Sequence, residues 1–269
     1  MSGLRETKRV LVVVRTYPTP AKTGVEVSCT AGITDTGEWI RLFPIPYRFL
    51  DADKRFTKYH WITVNATRAK NDPRPESYRI DQDSIRIVSV VGPERGWKAR
   101  RAIIDPLVSH CLCCLKRAWD ANKFPTLGLF RPKTIARLMI QADSPTWTTE
   151  QLQMLRQGSL AFQNAPETEL EKVPYVFKYE FRCDHDDCKG HKLSCTDWEM
   201  GAAWRRWRHE YGANRWEEKF RETWERKMLD KYDTHFFVGT VNNHPREWII
   251  VGLFYPPRQV LKANYDLFS

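Results

Sequence analysis

Between residues 8 and 92 the chain breaks into five short runs of β-forming residues, with prolines and glycines in the breaks. That rhythm limits the possible folds more than any other feature. The runs fall at residues 9–15, 25–33, 38–43, 60–67 and 84–91, with Asp35-Thr36-Gly37 as a turn and Pro44 and Pro46 as stops. In the fourth, Trp61, Thr63 and Asn65 alternate with Ile62, Val64 and Ala66, as in a half-buried strand. Five such strands in so short a stretch predict a small barrel of the OB or SH3-like kind.

The pattern then changes. Residues 99–122 read as helical despite Pro106, residues 132–141 as a short helix opened by proline, and residues 148–157 as another helix. Residues 163–174 are polar and acidic and read as a linker. Tyr175, Phe177, Tyr179 and Phe181 share one face of a strand that leads into a cysteine loop. Thr196-Asp197-Trp198-Glu199 reads as a capping box opening a helix that stops near Gly212. A second helix follows over about 214–232, and residues 236–241 and 248–254 form a hairpin. The predicted fold is α+β, in three parts: a barrel over 1–95, a helical segment over 96–165, and a zinc-binding strand-helix-hairpin unit over 166–269.

The cysteine loop carries the clearest chemistry. Cys183, Cys188, His191 and Cys195 place three thiols and an imidazole within thirteen residues, the soft and borderline donors that suit tetrahedral zinc. His185 is an alternative ligand, and Gly190 supplies a tight curve. Four protein ligands saturate the ion, so the expected role of Zn2+ is structural. His110, Cys111, Cys113 and Cys114 form a second cluster, read more simply as small apolar residues of a buried helix beside Leu112 and Leu115.

Charge points to a partner. Residues 1–140 carry 25 basic and 13 acidic side chains, a net of +12, whereas residues 141–269 carry 18 and 20. A basic half-chain of this kind suits a polyanion, DNA or RNA. Rings alternate with cations in the same half, and Arg15, Tyr17, Trp39, Arg41, Arg48, Arg55 and Lys58 are the expected nucleic-acid contacts. On a strand, Trp39 and Arg41 would face outward while Ile40 and Leu42 face the barrel core. The chain has neither a P-loop nor a GxSxG or HExxH motif. The acidic and histidine residues by the zinc loop, His185, Asp197 and Glu199, are the catalytic candidates of an alternative reading as a nuclease or nucleobase-modifying enzyme. Seven clustered cysteines and the absence of a long apolar run predict a cytoplasmic protein with no membrane partner.

Val27-Ser28-Cys29-Thr30-Ala31-Gly32-Ile33, followed by Gly37-Glu38-Trp39-Ile40-Arg41, resembles the signature of the dual OB-fold domains of prokaryotic conflict and phage-defence loci. There a Cys-x-Ala-Gly-Ile stretch precedes Gly-x-Trp-Ile-Arg-Pro. This chain departs from it at Leu42-Phe43-Pro44, where the proline arrives later. The resemblance spans about 40 residues and implies nucleic-acid recognition in antiviral defence.

Overall fold

The computed structural model describes residues 4–21, 26–161, 166 and 168–258, with side chains of 157–161 excepted; residues 163–165 and 167 of the expected linker lie outside this set. Seven strands precede the first long helix: β1 (Arg5–Arg15), β2 (Thr19–Pro20), β3 (Glu26–Thr34), β4 (Trp39–Ile45), β5 (His60–Arg68), β6 (Ser77–Ile80) and β7 (Arg86–Val90). Five of them close a ring in the order β1-β3-β4-β6-β5, with β5 returning to β1. The β4–β6 pair is parallel and the other pairs are antiparallel. This is the five-stranded barrel expected, in an OB-like arrangement. Four of the expected strands are in the ring; the fifth, over 84–91, is β7, paired with β5 outside it, and the short β6 that completes the ring, like the two-residue β2, was not expected.

Val10, Val12, Ile40, Leu42, Ile62 and Val64 fill the barrel, all buried. The alternate residues of β1 and β3, Leu11, Val13, Ala31 and Ile33, are just as buried but belong to a different core. Strand β1 is therefore covered on both faces, which is why its sequence is a continuous apolar run.

What covers the outside of β1 and β3 is a second sheet. Its strands are β8 (Val108–Ser109), β9 (Leu127–Phe130), β10 (Thr134–Ala142), β11 (Tyr175–Arg182), β12 (His191–Cys195), β13 (His235–Val241) and β14 (His244–Phe254). They lie in the order β10-β11-β12-β14-β13-β9-β8. Leu127, Leu129, Phe237, Val251 and Phe254 project toward the barrel. The opposite face presents Phe177, Tyr179, Phe181, Phe236 and Ile250 to the helices. The helices are α1 (Glu94–Ile104), whose Ile104 joins the core between barrel and sheet, α2 (Leu112–Asn122), α3 (Thr149–Ala161), α4 (Trp198–Tyr211) and α5 (Trp216–Arg221), the last running on through a π turn (Glu222–Arg226) into α6 (Lys227–Asp230); α2 and α4 to α6 cover the outer face. Trp204, Trp207, Trp216, Phe220 and Trp224 form their buried stripe against the sheet.

Two expectations for the middle of the chain are corrected. Residues 132–141 are the edge strand β10, paired with β11 through Ile135↔Phe181 and Leu138↔Tyr179. Pairing with an aromatic strand outweighs weak local helix preference. The long helix over 99–122 is two helices, parted at Asp105-Pro106-Leu107 and by β8, because proline removes a backbone donor. The helical middle thus also supplies β8, β9 and β10 to the second sheet.

The barrel and α4 approach closely at Gly201. A Cβ there would lie 2.3 Å from the Tyr17 ring, which is itself stacked on Trp198 at 5.6 Å. Gly201→Ala is expected to cost about 1–3 kcal/mol through overpacking, read as a lowered melting temperature; an unchanged melt would mean that the seam yields freely.

Candidate metal centre and interdomain site

The metal ligands come from two distant segments. Strand β11 ends at Arg182, one residue before Cys183, a loop turns through Cys188, and Gly190 with φ near +93° returns the chain to β12, which begins at His191. From the other side, the first turn of α2 brings in Cys113. The ligand atoms of Cys113, Cys183, Cys188 and His191 all lie within 4.8 Å of one another. His191 Nε2 is 3.2 Å from Cys113 Sγ and 3.5 Å from Cys188 Sγ. Ligands of a tetrahedral zinc, with bonds of about 2.3 Å to sulfur and about 2.0 Å to nitrogen, stand roughly 3.5–3.8 Å apart. The donor set and its spacing therefore fit the ion.

Cys195 does not join them. It lies at the far end of β12 opposite Phe177, buried beside Asp197, and burial pushes its thiol far above the ordinary range. Strand geometry explains the exchange: four residues of extended chain carry Cys195 away from His191 by about 13 Å. His185 stays outside as well, accepting from the Asp187 N–H at 3.1 Å and meeting the Arg117 guanidinium. Cys111 and Cys114, which flank the new ligand, are paired as a disulfide.

The electrostatics of the four suit a cation. Burial, then the neighbouring Cys183 and Cys188, pushes Cys113 up to about 12. Burial likewise raises Cys183, whereas backbone N–H groups of Cys183 and Gly190 outweigh burial at Cys188 and lower it. Burial, aided by Lys116, lowers His191 to about 4, which leaves its imidazole neutral and able to ligate. Three clustered thiols resist ionising together, and a divalent cation removes that penalty.

Two family models meet at this point. Residues 108–269 match the domain of unknown function DUF8757, and residues 6–106 match a second, DUF8758. The chain belongs to the DUF8757 family. No curated protein matches it. All four candidate metal ligands fall inside the DUF8757 match, and the junction of the two matches falls between α1 and β8, so the barrel lies in one match and the second sheet in the other.

The seam between them holds a second polar cluster. The buried Lys58, in the loop before β5, reaches Asp197 Oδ2 at 2.7 Å and Glu199 Oε2 at 3.0 Å. Asp197, not Thr196, is the N-cap of α4: its Oδ1 accepts from the Glu199 N–H at 2.8 Å. Its Oδ2 also accepts from the Leu253 N–H at 2.8 Å, so Asp197 ties the barrel, α4 and β14 together. The Tyr255 hydroxyl donates to Glu199 Oε2 at 3.0 Å. Burial alone would lower Lys58, but the two carboxylates outweigh it and hold the ammonium charged. Lys58 in turn overcomes the burial of Glu199 and lowers its carboxyl, while burial wins at Asp197 and raises it. Of the catalytic candidates, Asp197 and Glu199 are brought together here, and His185 is not.

The expected nucleic-acid contacts are mostly consumed by this seam. Arg15 is sandwiched between the Tyr47 and Trp198 rings at 4.0 and 4.2 Å, and Tyr17 donates to the Glu171 carbonyl at 2.8 Å. Trp39 and Arg41 do point out of the barrel, but onto the second sheet. Trp39 packs edge-on against Phe237 at 5.9 Å, and the buried Arg41 donates to Glu76 and to the Thr126 carbonyl, both at 3.2 Å. Arg41 is therefore buried and Trp39 partly buried against the second sheet, rather than both facing solvent. The second sheet occupies the outer barrel face that oligonucleotides use in OB folds. Only Arg55 is exposed, and it too is bonded to backbone carbonyls of Leu50 and Arg48.

Arg48 pairs with the buried Glu26 at 3.0 Å. Burial raises the Glu26 carboxyl to about 7 despite Arg48. A folded value above the unfolded one near 4.5 means the contribution to stability is full below 4.5 and lost as pH rises through about 7. Melting curves across this window should therefore show wild type losing up to about 3 kcal/mol relative to Glu26→Gln; parallel curves would contradict the assignment.

No helix among the described residues is long and apolar enough to cross a membrane.

Proposed function

We propose that this is a nucleic-acid-binding protein held together by structural zinc, and that it binds through the surface around the metal loop. The observation that carries this is the convergence of cations from separate segments onto that loop. Arg182, Lys189 and Lys192 are exposed on it or beside it. Lys133 pairs with Asp184 at 2.9 Å, Arg117 meets His185, and Lys116 acts on His191. These six face four carboxylates, Glu180, Asp184, Asp186 and Asp187, in a chain of net charge +10. Zinc knuckles recur among nucleic-acid-binding modules, where backbone phosphates meet such cations. The likeness of residues 27–41 to the dual OB-fold domains supports a place in prokaryotic antiviral defence. The test is titration of labelled single- and double-stranded DNA and RNA against salt. Binding should weaken with salt, and the double variant Arg182→Ala/Lys189→Ala should flatten the slope by about two phosphate equivalents with its zinc intact. No binding at low salt to any of the four would overturn the proposal.

One observation favours a second reading, that of a nucleic-acid-processing enzyme: Asp197 and Glu199 meet a buried lysine beside a cavity. Cleaved or base-altered product in the same titrations, with Mg2+ added, would establish it.

A further inference from the structure

A cavity of about 640 Å³ opens beside Lys58 at the seam, large enough for a nucleotide-sized ligand. Its walls include the indoles of Trp198, Trp207 and Trp224 and the phenol rings of Tyr232 and Tyr255. Flat apolar walls of this kind take a flat ring.

The polar groups narrow the class. Glu199 lies at the boundary between the buried cluster and the cavity, its side chain 35% exposed. Its Oε2 is engaged by Lys58 and Tyr255, while its Oε1 has no hydrogen-bond partner among the described residues. An ionised carboxylate accepts only, so it calls for an N–H of the ligand. Trp224 offers the converse. It is 5% exposed, it lines the cavity, and its indole N–H has no partner among the described residues. A buried donor left unmatched costs free energy that a ligand acceptor would recover once a small turn of the indole brought its N–H, now buried, to the cavity. Arg206 completes the set: it is exposed, lines the same cavity and forms no ion pair among the described residues. A guanidinium so placed suits a phosphate. A planar ring with both N–H donors and ring or carbonyl acceptors, joined to a phosphate, is a nucleotide.

We propose that the interdomain cavity is a nucleotide site, in which a base enters between the indoles, donates to Glu199 and leaves its phosphate at Arg206. This deepens the nucleic-acid reading, since the base belongs either to a free nucleotide or to an unstacked residue of a strand. Calorimetry on the zinc-loaded chain with AMP, GMP, CMP and UMP, their nucleosides, inorganic phosphate and a short single-stranded oligonucleotide separates these sources. At least one nucleotide or the strand should bind, and phosphate alone should not. Arg206→Ala, on the surface, should weaken nucleotide binding about tenfold while leaving the nucleoside unchanged. Ala202→Phe, which fills the cavity, should abolish binding in a protein that still melts cooperatively and keeps its zinc. Binding of nucleotide but not strand supports the cavity and removes the nucleic-acid reading. Strand binding lost in Ala202→Phe assigns the cavity to a strand residue. Strand binding equal in wild type and Ala202→Phe overturns the cavity and leaves the metal-loop surface standing. No binding of any probe overturns both.

Discussion

Cys113→Ser is expected to empty the metal centre, taking zinc from about one ion per chain to almost none, whereas Cys195→Ser keeps the metal. The contrast follows from geometry: Cys113 lies within 4.8 Å of the other three donors and Cys195 is not among them. The loss should extend to stability. A zinc ion held by these four would join α2 to the β11–β12 loop, segments separated by some seventy residues of chain, and the free energy of metal binding is folding free energy when no site exists in the unfolded chain. With one ligand gone, the remaining thiols bind weakly, so a fall in melting temperature well beyond 5 °C is expected, matched by wild type treated with chelator. Elemental analysis and thermal melting of the two variants decide it. Zinc retained in Cys113→Ser, or lost in Cys195→Ser, would return the fourth position to the loop itself.

Lys58→Met is the second large effect. Asp197 is fully enclosed and the Lys58 side chain nearly so, and the substitution leaves the Asp197 charge with two backbone N–H donors but no countercharge. Breaking a buried pair from one side costs about 3–5 kcal/mol, and since each kcal/mol moves the midpoint of a chain this size by about 2–4 °C, a drop near 10 °C is expected. Asp197→Asn added to Lys58→Met keeps an acceptor for the cap and removes the orphaned charge, so the double variant should recover part of the loss. If Lys58→Met melts within about 1 kcal/mol of wild type, water reaches the seam and the cluster is not a tie between the two cores.

The barrel was legible because its information is local. Alternation in β5 and the turn at Gly37 place strands without knowledge of anything else in the molecule. The same alternation correctly sent Trp39 and Arg41 outward, and there it stopped being informative. Outward from a barrel means solvent only if nothing else covers the barrel. The covering strands, β9, β13 and β14, lie more than eighty residues further along the chain. A hint was present in β1, whose unbroken apolar run from Val10 to Val14 needs a partner on both faces, and in the matching run of Ile249, Ile250 and Val251 in β14. The metal site divides in the same way. Cys183, Cys188 and His191 sit in one loop and are readable from spacing. Cys113 was visible as part of an unusual Cys-x-Cys-Cys cluster, but only the docking of α2 on the second sheet shows which cysteine reaches the loop. Residues 132–141 carry no comparable signal, since an opening proline and a mixed composition suit a helix until β11 offers a pairing edge.

The most direct test of the account is X-ray absorption at the zinc edge of the purified chain. The arrangement predicts a shell of three sulfurs at about 2.3 Å and one nitrogen at about 2.0 Å, unchanged in Cys195→Ser. A folded protein without zinc, or a shell with oxygen in place of the third sulfur, would contradict it.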